Sequence, residues 1–469
     1  MSQTAHKFDP SILREYDIRG VVGTTVHAAD ARAIGRTFGT IVKRKGGKRV
    51  ALGYDGRLSS PELAAACIEG LTASGVDVVN IGVAATPMLY YAVYHLEADG
   101  GIQITGSHNP PDYNGFKMMM GKKSFFGADI QTLGTMAGKG DWAVGQGKVE
   151  KKDILSDYAA RLVRDVKPGR KLKVAWDIGN GAVGVSIRAV VDKLQGEHFV
   201  LNEKVDGTFP AHHPDPTVPK NLEQLIAEVK ARGCDLGIAF DGDGDRIGAV
   251  DGKGRILWGD QLLVLWARDV LKSKPGATII ADVKASQVLF DEIAKAGGVP
   301  MMFKTGHSLI KSKMAEIGSP LACEMSGHVF FADTFYGFDD ALYCALRLLN
   351  VVANAKESLA EMRDGLPQPV NTPELRFDCP DDQKFGVVEK VKARLQKEGA
   401  KFSDIDGVRV STKDGWWLLR ASNTQPVLVA RCEAADDAGL ERLKAELKGA
   451  LAASGVELPD DVEAGAGHH

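Results

Sequence analysis

GIQITGSHNPPDYNGFK, residues 101–117, decides how the rest of this chain is read. Its opening apolar run, Ile102 to Thr105, predicts a buried strand that ends by delivering Ser107 into a loop. Gly106 permits a tight turn beside the serine, and Pro110 and Pro111 keep that turn from winding into a helix. His108, Asn109 and Lys117 then gather an imidazole, an amide and an ammonium around one hydroxyl. Such a loop suits a serine that accepts and gives up a charged group. The same residues also serve as an ordinary polar turn after a strand.

Outward from this loop the chain alternates strand and helix. Upstream, 48–54 is strand-like and ends in Asp55-Gly56-Arg57; a helix over 61–75 follows, with Ser60 as its cap and Pro61 in its first turn. A strand at 76–83 and a helix at 86–96 lead back to GIQIT, a rhythm that implies parallel pairing through right-handed crossovers. Beyond a Gly-rich bridge at 138–147 the rhythm restarts, with strands at 171–181, 197–203 and 234–240 and helices near 183–194 and 222–232. The irregular GTFPAHHPDPTVP, 207–219, interrupts this second round. A third round has helices at 261–271, 287–296 and 309–317, strands at 277–283 and 299–306, and the segment PLACEMSGHVFF, 320–331. From about Pro369 the pattern changes to a strand at 374–379, a helix at 383–399, an antiparallel set over 408–434 turning at Lys413-Asp414-Gly415, and a last helix at 437–453. The expected fold is α/β: three α/β domains with mixed, mostly parallel sheets, then an α+β domain with an antiparallel sheet. Expected boundaries are 1–151, 152–254, 255–367 and 368–463, with a disordered tail at 464–469.

Bulk properties exclude several classes. The 58 basic and 61 acidic side chains nearly cancel, which leaves no net-charge argument for nucleic acid or an anionic membrane. No apolar run approaches the roughly 20 residues that span a bilayer, and the N-terminal MSQTAHKFDPSILREYD lacks the apolar centre of a signal peptide. Six cysteines without paired spacing argue against disulfide or zinc frameworks, so a cytoplasmic protein is expected.

Polar residues cluster where α/β folds bind ligands, past the carboxyl ends of strands. Asp241, Asp243 and Asp245 alternate with Gly242 and Gly244 directly after CDLGIAF, so their oxygens can face one hard cation, for which Mg²⁺ is suited. A calcium EF-hand loop is excluded, because Gly252 stands where its final glutamate belongs and a strand precedes the loop. Arg420, Ser422, Asn423 and Thr424 offer a phosphate grip, although such residues also make hairpin turns. Glu324, Ser326 and His328 supply a carboxylate, a hydroxyl and an imidazole; 304–308 and 282–284 add polar groups after strands. Tyr16 and Arg19, in ILREYDIRG, read by themselves as a surface segment with a salt-bridging arginine.

With TGSHNP, DGDGDR, EMSGH and RASNT in this order on one chain, the sequence closely resembles the α-D-phosphohexomutases over about Phe8 to Ala453. Within that family it is most similar to the bacterial bifunctional phosphomannomutase/phosphoglucomutase group. The resemblance implies four domains around a central cleft, the first three of shared topology. It implies that Ser107 carries phosphate, that Asp241, Asp243, Asp245 and a phosphoserine oxygen hold Mg²⁺, and that Glu324 and Ser326 read the sugar. It further implies that Arg420, Ser422, Asn423 and Thr424 hold the phosphate that does not react. Tyr16, Arg19, Lys117, Arg246, Lys284, His307 and His328 match further active-site positions. Lys117 and His328 are the candidates for proton transfer, and His108 for orienting the loop. The expected reaction interconverts hexose 1- and 6-phosphates of glucose and mannose through a 1,6-bisphosphate, which also serves as activator, in a monomer that binds only sugar phosphates. One departure stands out: Cys323 occupies a position where many dual-specificity members have glycine. The alternatives are a phosphoglucosamine mutase, a metal-dependent sugar phosphatase and a non-catalytic sugar-phosphate binding protein.

Overall fold

A computed structural model describes residues 5–455. The expected tail at 464–469, and the last residues of the expected final domain, lie outside the described residues.

Each of the first three sheets is built on one plan. In the first, strand Arg49–Tyr54 pairs in parallel with Asp77–Val83 on one side and Gly100–Ile104 on the other. The second sets Leu172–Asp177 between Gly196–Leu201 and Leu236–Phe240, and the third sets Thr278–Asp282 between Val299–Phe303 and Leu321–Cys323, again in parallel. In every case the third strand of the trio then turns back on itself. Gly100–Ile104 pairs antiparallel with Tyr113–Met120, Leu236–Phe240 with Ile247–Asp251, and Leu321–Cys323 with Val329–Phe331. The sheets are therefore mixed. The turns of these equivalent hairpins carry Ser107, the aspartate trio and Glu324–His328 respectively. Shared topology thus puts three different chemistries at one structural address.

Some local expectations need correction. Lys117 does not belong to the Ser107 loop; it lies on strand Tyr113–Met120, whose interior residues are buried on both faces. A central strand covered on both sides shows no polar alternation, so the sequence pattern did not reveal it. Ser60 is the first helical residue rather than the cap, and its hydroxyl donates to Asp55 at 2.6 Å. Helices Ala28–Arg44 and Ala341–Ala353 fall outside the expected rhythm. The first contains Gly35 and Gly39, which lower helix propensity. Gly35 is there for contact: a Cβ on it would stand 2.1 Å from the Cys67 carbonyl of helix Ser60–Ala73. The Gly-rich bridge packs on the first unit, where Trp142 donates to Thr37 at 2.8 Å, and just beyond it Val149–Lys151 adds an edge strand to the first sheet.

One core joins the first three units. Tyr90 and Tyr91 of the first unit, Trp176 of the second and Trp266 of the third belong to one continuous apolar cluster. The last unit is an antiparallel sheet, Val370–Asn371 and Leu375–Asp378 against Val427–Ala434, then Gly415–Ala421, Val408–Ser411 and Phe402–Ser403. It has a separate core around Val391, Leu419 and Leu447. It meets the third unit mainly through a small cluster of Val283, Trp416 and Leu418, with Arg409 donating to the carbonyls of Val283 and Ala285. No helix among the described residues is long and apolar enough to cross a membrane.

Candidate active site

The Ser107 loop and the aspartate loop meet face to face. Ser107 is buried, in the left-handed region with φ 48°, and its hydroxyl donates to Asp241 Oδ2 at 2.9 Å. That approach requires glycine at 242, where a Cβ would stand 2.4 Å from the Ser107 carbonyl oxygen. Asp241 Oδ1 accepts the backbone N–H groups of Gly244, Asp245 and Arg246 at 3.0 to 3.1 Å, which folds the acidic turn around it. Lys117 Nζ donates to Asp243 at 2.8 Å and also to Asp245. Thr86, at the start of a helix of the first unit, binds Asp243 through both its hydroxyl and its N–H.

The electrostatics are those of a cation site. The trio's ligand atoms lie within 4.8 Å of one another in a buried cluster. Asp243 Oδ1 and Asp245 Oδ1 are buried without a hydrogen-bond partner among the described residues. Burial and the neighbouring aspartates raise Asp241 and Asp245, while Lys117 holds Asp243 down against its burial. Burial would lower Lys117, but Asp243, Asp245 and Asp241 raise it, so it stands as an ammonium. Carboxylate oxygens this close together, two of them orphaned, fit a hard divalent cation. A second acidic grouping, Asp245, His328 and Asp339, is already committed, with Asp339 paired to Lys311 and His328 at 2.9 Å each.

Around this centre the other expected residues assemble. Arg19 is buried: it donates to the Gly106 carbonyl at 2.5 Å and to Asn109 at 2.7 Å, and it pairs with Asp17, so its salt bridge belongs to the loop's framework and not to the surface. His108 Nδ1 lies 3.3 Å from the Ser107 hydroxyl; burial and the charges of Arg246, Arg19 and Lys117 push its pKa well down. Arg246 Nε donates to His328 Nε2 at 3.0 Å, and His328 Nδ1 meets Asp339 at 2.9 Å. His307 stacks on His328 with ring centroids 5.1 Å apart. In the loop expected to read the sugar, Glu324 is buried and the Ser326 hydroxyl is buried without a hydrogen-bond partner among the described residues. The Cys323 thiol donates to the backbone carbonyl of Glu324 at 3.1 Å and lies 3.5 Å from that of Gly259, so it meets the main chain and not the Glu324 or Ser326 side chain.

The last unit closes the far wall. Arg420 Nε donates to Asp406 at 2.9 Å, and Ser422 Oγ accepts the N–H groups of Thr424 and Gln425. Thr424 is the outermost of the group and exposed. Lys284 Nζ binds Glu374 at 3.0 Å. Tyr16 joins three units: its hydroxyl donates to the Thr305 carbonyl at 2.8 Å and accepts from Asn423 at 2.7 Å. Thr86, Asp339, Asp406 and Glu374 carry no motif and escaped the sequence reading. Only their tertiary partners reveal them.

Models of the phosphoglucomutase/phosphomannomutase family match nearly the whole chain: alpha/beta/alpha domain I at residues 10–133, domain II at 156–254, domain III at 258–370 and the C-terminal domain at 374–450. A phosphomannomutase/phosphoglucomutase of Pseudomonas putida is 48% identical over 92% of this chain and 94% of its own length. A phosphoglucomutase of Neisseria meningitidis is 45% identical over 94% of this chain and 96% of its own. The crystal structure of a phosphoglucomutase/phosphomannomutase family protein from Burkholderia thailandensis superposes with TM-score 0.91 at 44% identity, covering 96% of this chain and 98% of that one. With the Ser107 and aspartate loops in contact, and domains matched from end to end, the chain belongs to the phosphoglucomutase/phosphomannomutase family.

Proposed function

We propose that this chain is a phosphohexomutase that interconverts the 1- and 6-phosphates of glucose and mannose, with Ser107 as the phosphoryl carrier. The observation that carries this reading is the 2.9 Å contact between the Ser107 hydroxyl and Asp241 in a buried acidic trio. Phosphorylated Ser107 transfers its phosphoryl group to the free hydroxyl of a hexose monophosphate, giving a 1,6-bisphosphate and free serine. The bisphosphate turns end for end, and its other phosphate returns to Ser107. A supplied 1,6-bisphosphate therefore acts as an activator, because it rephosphorylates an enzyme that has lost its phosphate.

Phosphoryl transfer of this kind depends on positioning and charge compensation more than on covalent chemistry by side chains. Asp241, Asp243 and Asp245 are the residues that would hold Mg²⁺, which when bound offsets the charge on the phosphoserine. Lys117 and Arg246 bring further positive charge to the transferring group. His328 keeps Nδ1 on Asp339 and Nε2 on Arg246, so it takes part in proton transfer only after Arg246 turns toward substrate. Arg420, Ser422, Asn423 and Thr424, with Lys284, hold the distal phosphate, and Tyr16 and His307 line the path between the two ends. Glu324 and Ser326 read sugar hydroxyls shared by glucose and mannose. The reading is of a monomer working on sugar phosphates in the cytoplasm.

The relatives' names favour neutral hexose phosphates over amino-sugar phosphates. Coupled assays with glucose 1-phosphate and mannose 1-phosphate, with and without a bisphosphate, test the reading, together with intact-mass analysis. A phosphorylated fraction that vanishes in Ser107→Ala, with loss of turnover, is expected. A fully active Ser107→Ala enzyme, or release of inorganic phosphate in place of isomerised sugar phosphate, refutes it.

A further inference from the structure

Asp55-Gly56-Arg57 ends the strand beside the one that delivers Ser107, and no role in the reaction has yet fallen to it. Arg57 is 1% exposed, and its guanidinium is turned to the Ser107 loop. Its Nη2 donates to the carbonyls of Ser107 at 2.8 Å and Asn109 at 2.6 Å. Its Nη1 donates to the carbonyl of Tyr113 at 3.0 Å and to that of Pro110. One planar group thus holds four carbonyls of the loop that carries the serine. Gly106 makes the seat, since a Cβ there would lie 2.2 Å from Arg57 Nε.

The guanidinium is itself held on two sides. Asp55 Oδ2 accepts from Arg57 Nε at 3.2 Å and also from Gly106 N and Thr105 Oγ1. That threonine hydroxyl in turn accepts the Ser107 N–H at 2.8 Å. From the second unit Phe209, in the irregular stretch that broke the sequence rhythm, lays its ring 5.1 Å from the guanidinium carbon. Arg19 holds the same loop from elsewhere through Gly106 and Asn109.

We propose that Arg57 is a positioning residue for phosphoryl transfer, fixing the strained Ser107 backbone so that its hydroxyl keeps one location with and without phosphate. The proposal rests on the mutase reading above. A carrier serine acts as donor in one half-reaction and acceptor in the other, so the loop must not relax when its charge changes. A guanidinium can span four carbonyls in a plane; an ammonium, with three donors on a flexible stem, cannot. Misplacing a reacting atom by about 1 Å can cost on the order of 100-fold in rate, while substrate contacts made elsewhere are untouched.

The test uses full-length enzyme with Mg²⁺, comparing wild type with Arg57→Lys by steady-state kinetics and by the ³¹P chemical shift of the phosphoserine. Expected is a fall in kcat of about tenfold or more, KM within about twofold, and a displaced ³¹P resonance. Wild-type kcat with an unmoved resonance overturns the proposal, as does a rise in KM alone, which would make Arg57 a substrate contact. Should Arg57→Lys fail to fold, Asp55→Asn carries the same test, because it loosens the guanidinium while keeping the side-chain shape; unchanged kcat there is equally fatal. A wild type without mutase turnover would instead count against the proposed function itself.

Discussion

Tyr16→Phe is the most informative single change in the cleft. The hydroxyl it removes makes two bonds of different kinds. The one to the Thr305 carbonyl joins units that share a continuous core, so it persists whether the cleft is open or closed. The one from Asn423 reaches the last unit, which has its own core and, on the proposed function, would swing to release and regrip a phosphate. On such a swing only that second bond would be lost. A neutral hydrogen bond contributes about 1 kcal/mol net, which corresponds to a roughly fivefold shift in the ratio of closed to open enzyme. We therefore expect kcat/KM to fall about fivefold in Tyr16→Phe. Because Asn423 is also proposed to touch phosphate, the clean assay is a double-mutant cycle with Asn423→Ala, read as kcat/KM in the coupled assay. Small-angle scattering with and without glucose 1-phosphate reports closure in parallel. The two substitutions should couple by about 1 kcal/mol. Strict additivity, or scattering profiles identical with and without ligand, would refute the idea that this bond latches a moving domain.

Other expectations follow from the same geometry. Asp243→Asn keeps the shape but removes the charge of one proposed ligand, so the Mg²⁺ concentration for half-maximal activity should rise by about tenfold or more; an unchanged requirement would move the metal elsewhere. Arg420→Ala removes a charge-assisted grip of about 1.5 to 3 kcal/mol and should raise KM more than it lowers kcat, whereas an unaltered KM would take this loop out of the site. Burial raises Asp340, which caps helix Ala341–Ala353 and accepts from Tyr158, to about 7. A folded-state carboxyl pKa above its unfolded value means that its stabilising contribution is complete below about 4 and declines as pH rises toward 7. Asp340→Asn should therefore flatten the fall in melting temperature over that window; an identical pH profile would show that Asp340 does not titrate there.

Much of this protein is legible in its residues because the relevant signals are local. A buried strand followed by glycines and carboxylates, as in CDLGIAF-DGDGDR, announces a loop at a strand's carboxyl end, and the loop is found there. Strand-helix alternation likewise marks most elements within a few residues. What failed to show locally had either lost its pattern through burial on both faces or given up propensity for a close contact. Lys117 sits on a strand with no polar face, and helix Ala28–Arg44 gives up propensity at Gly35 for contact with its neighbour.

Sequence by itself determined the kind of protein: the class of fold, the loop of Ser107, the acidic trio and the polar hairpin at 420–424, each written within a few consecutive residues. Only tertiary structure decided that these stretches meet. Ser107 and Asp241 lie 134 positions apart, Tyr16 and Asn423 lie 407 apart, and both pairs end within hydrogen-bond reach. Local propensity acts over a turn or a strand. Contacts between units are settled by the packing of a core that runs through the first three, and by the bonds that seat the fourth across the cleft.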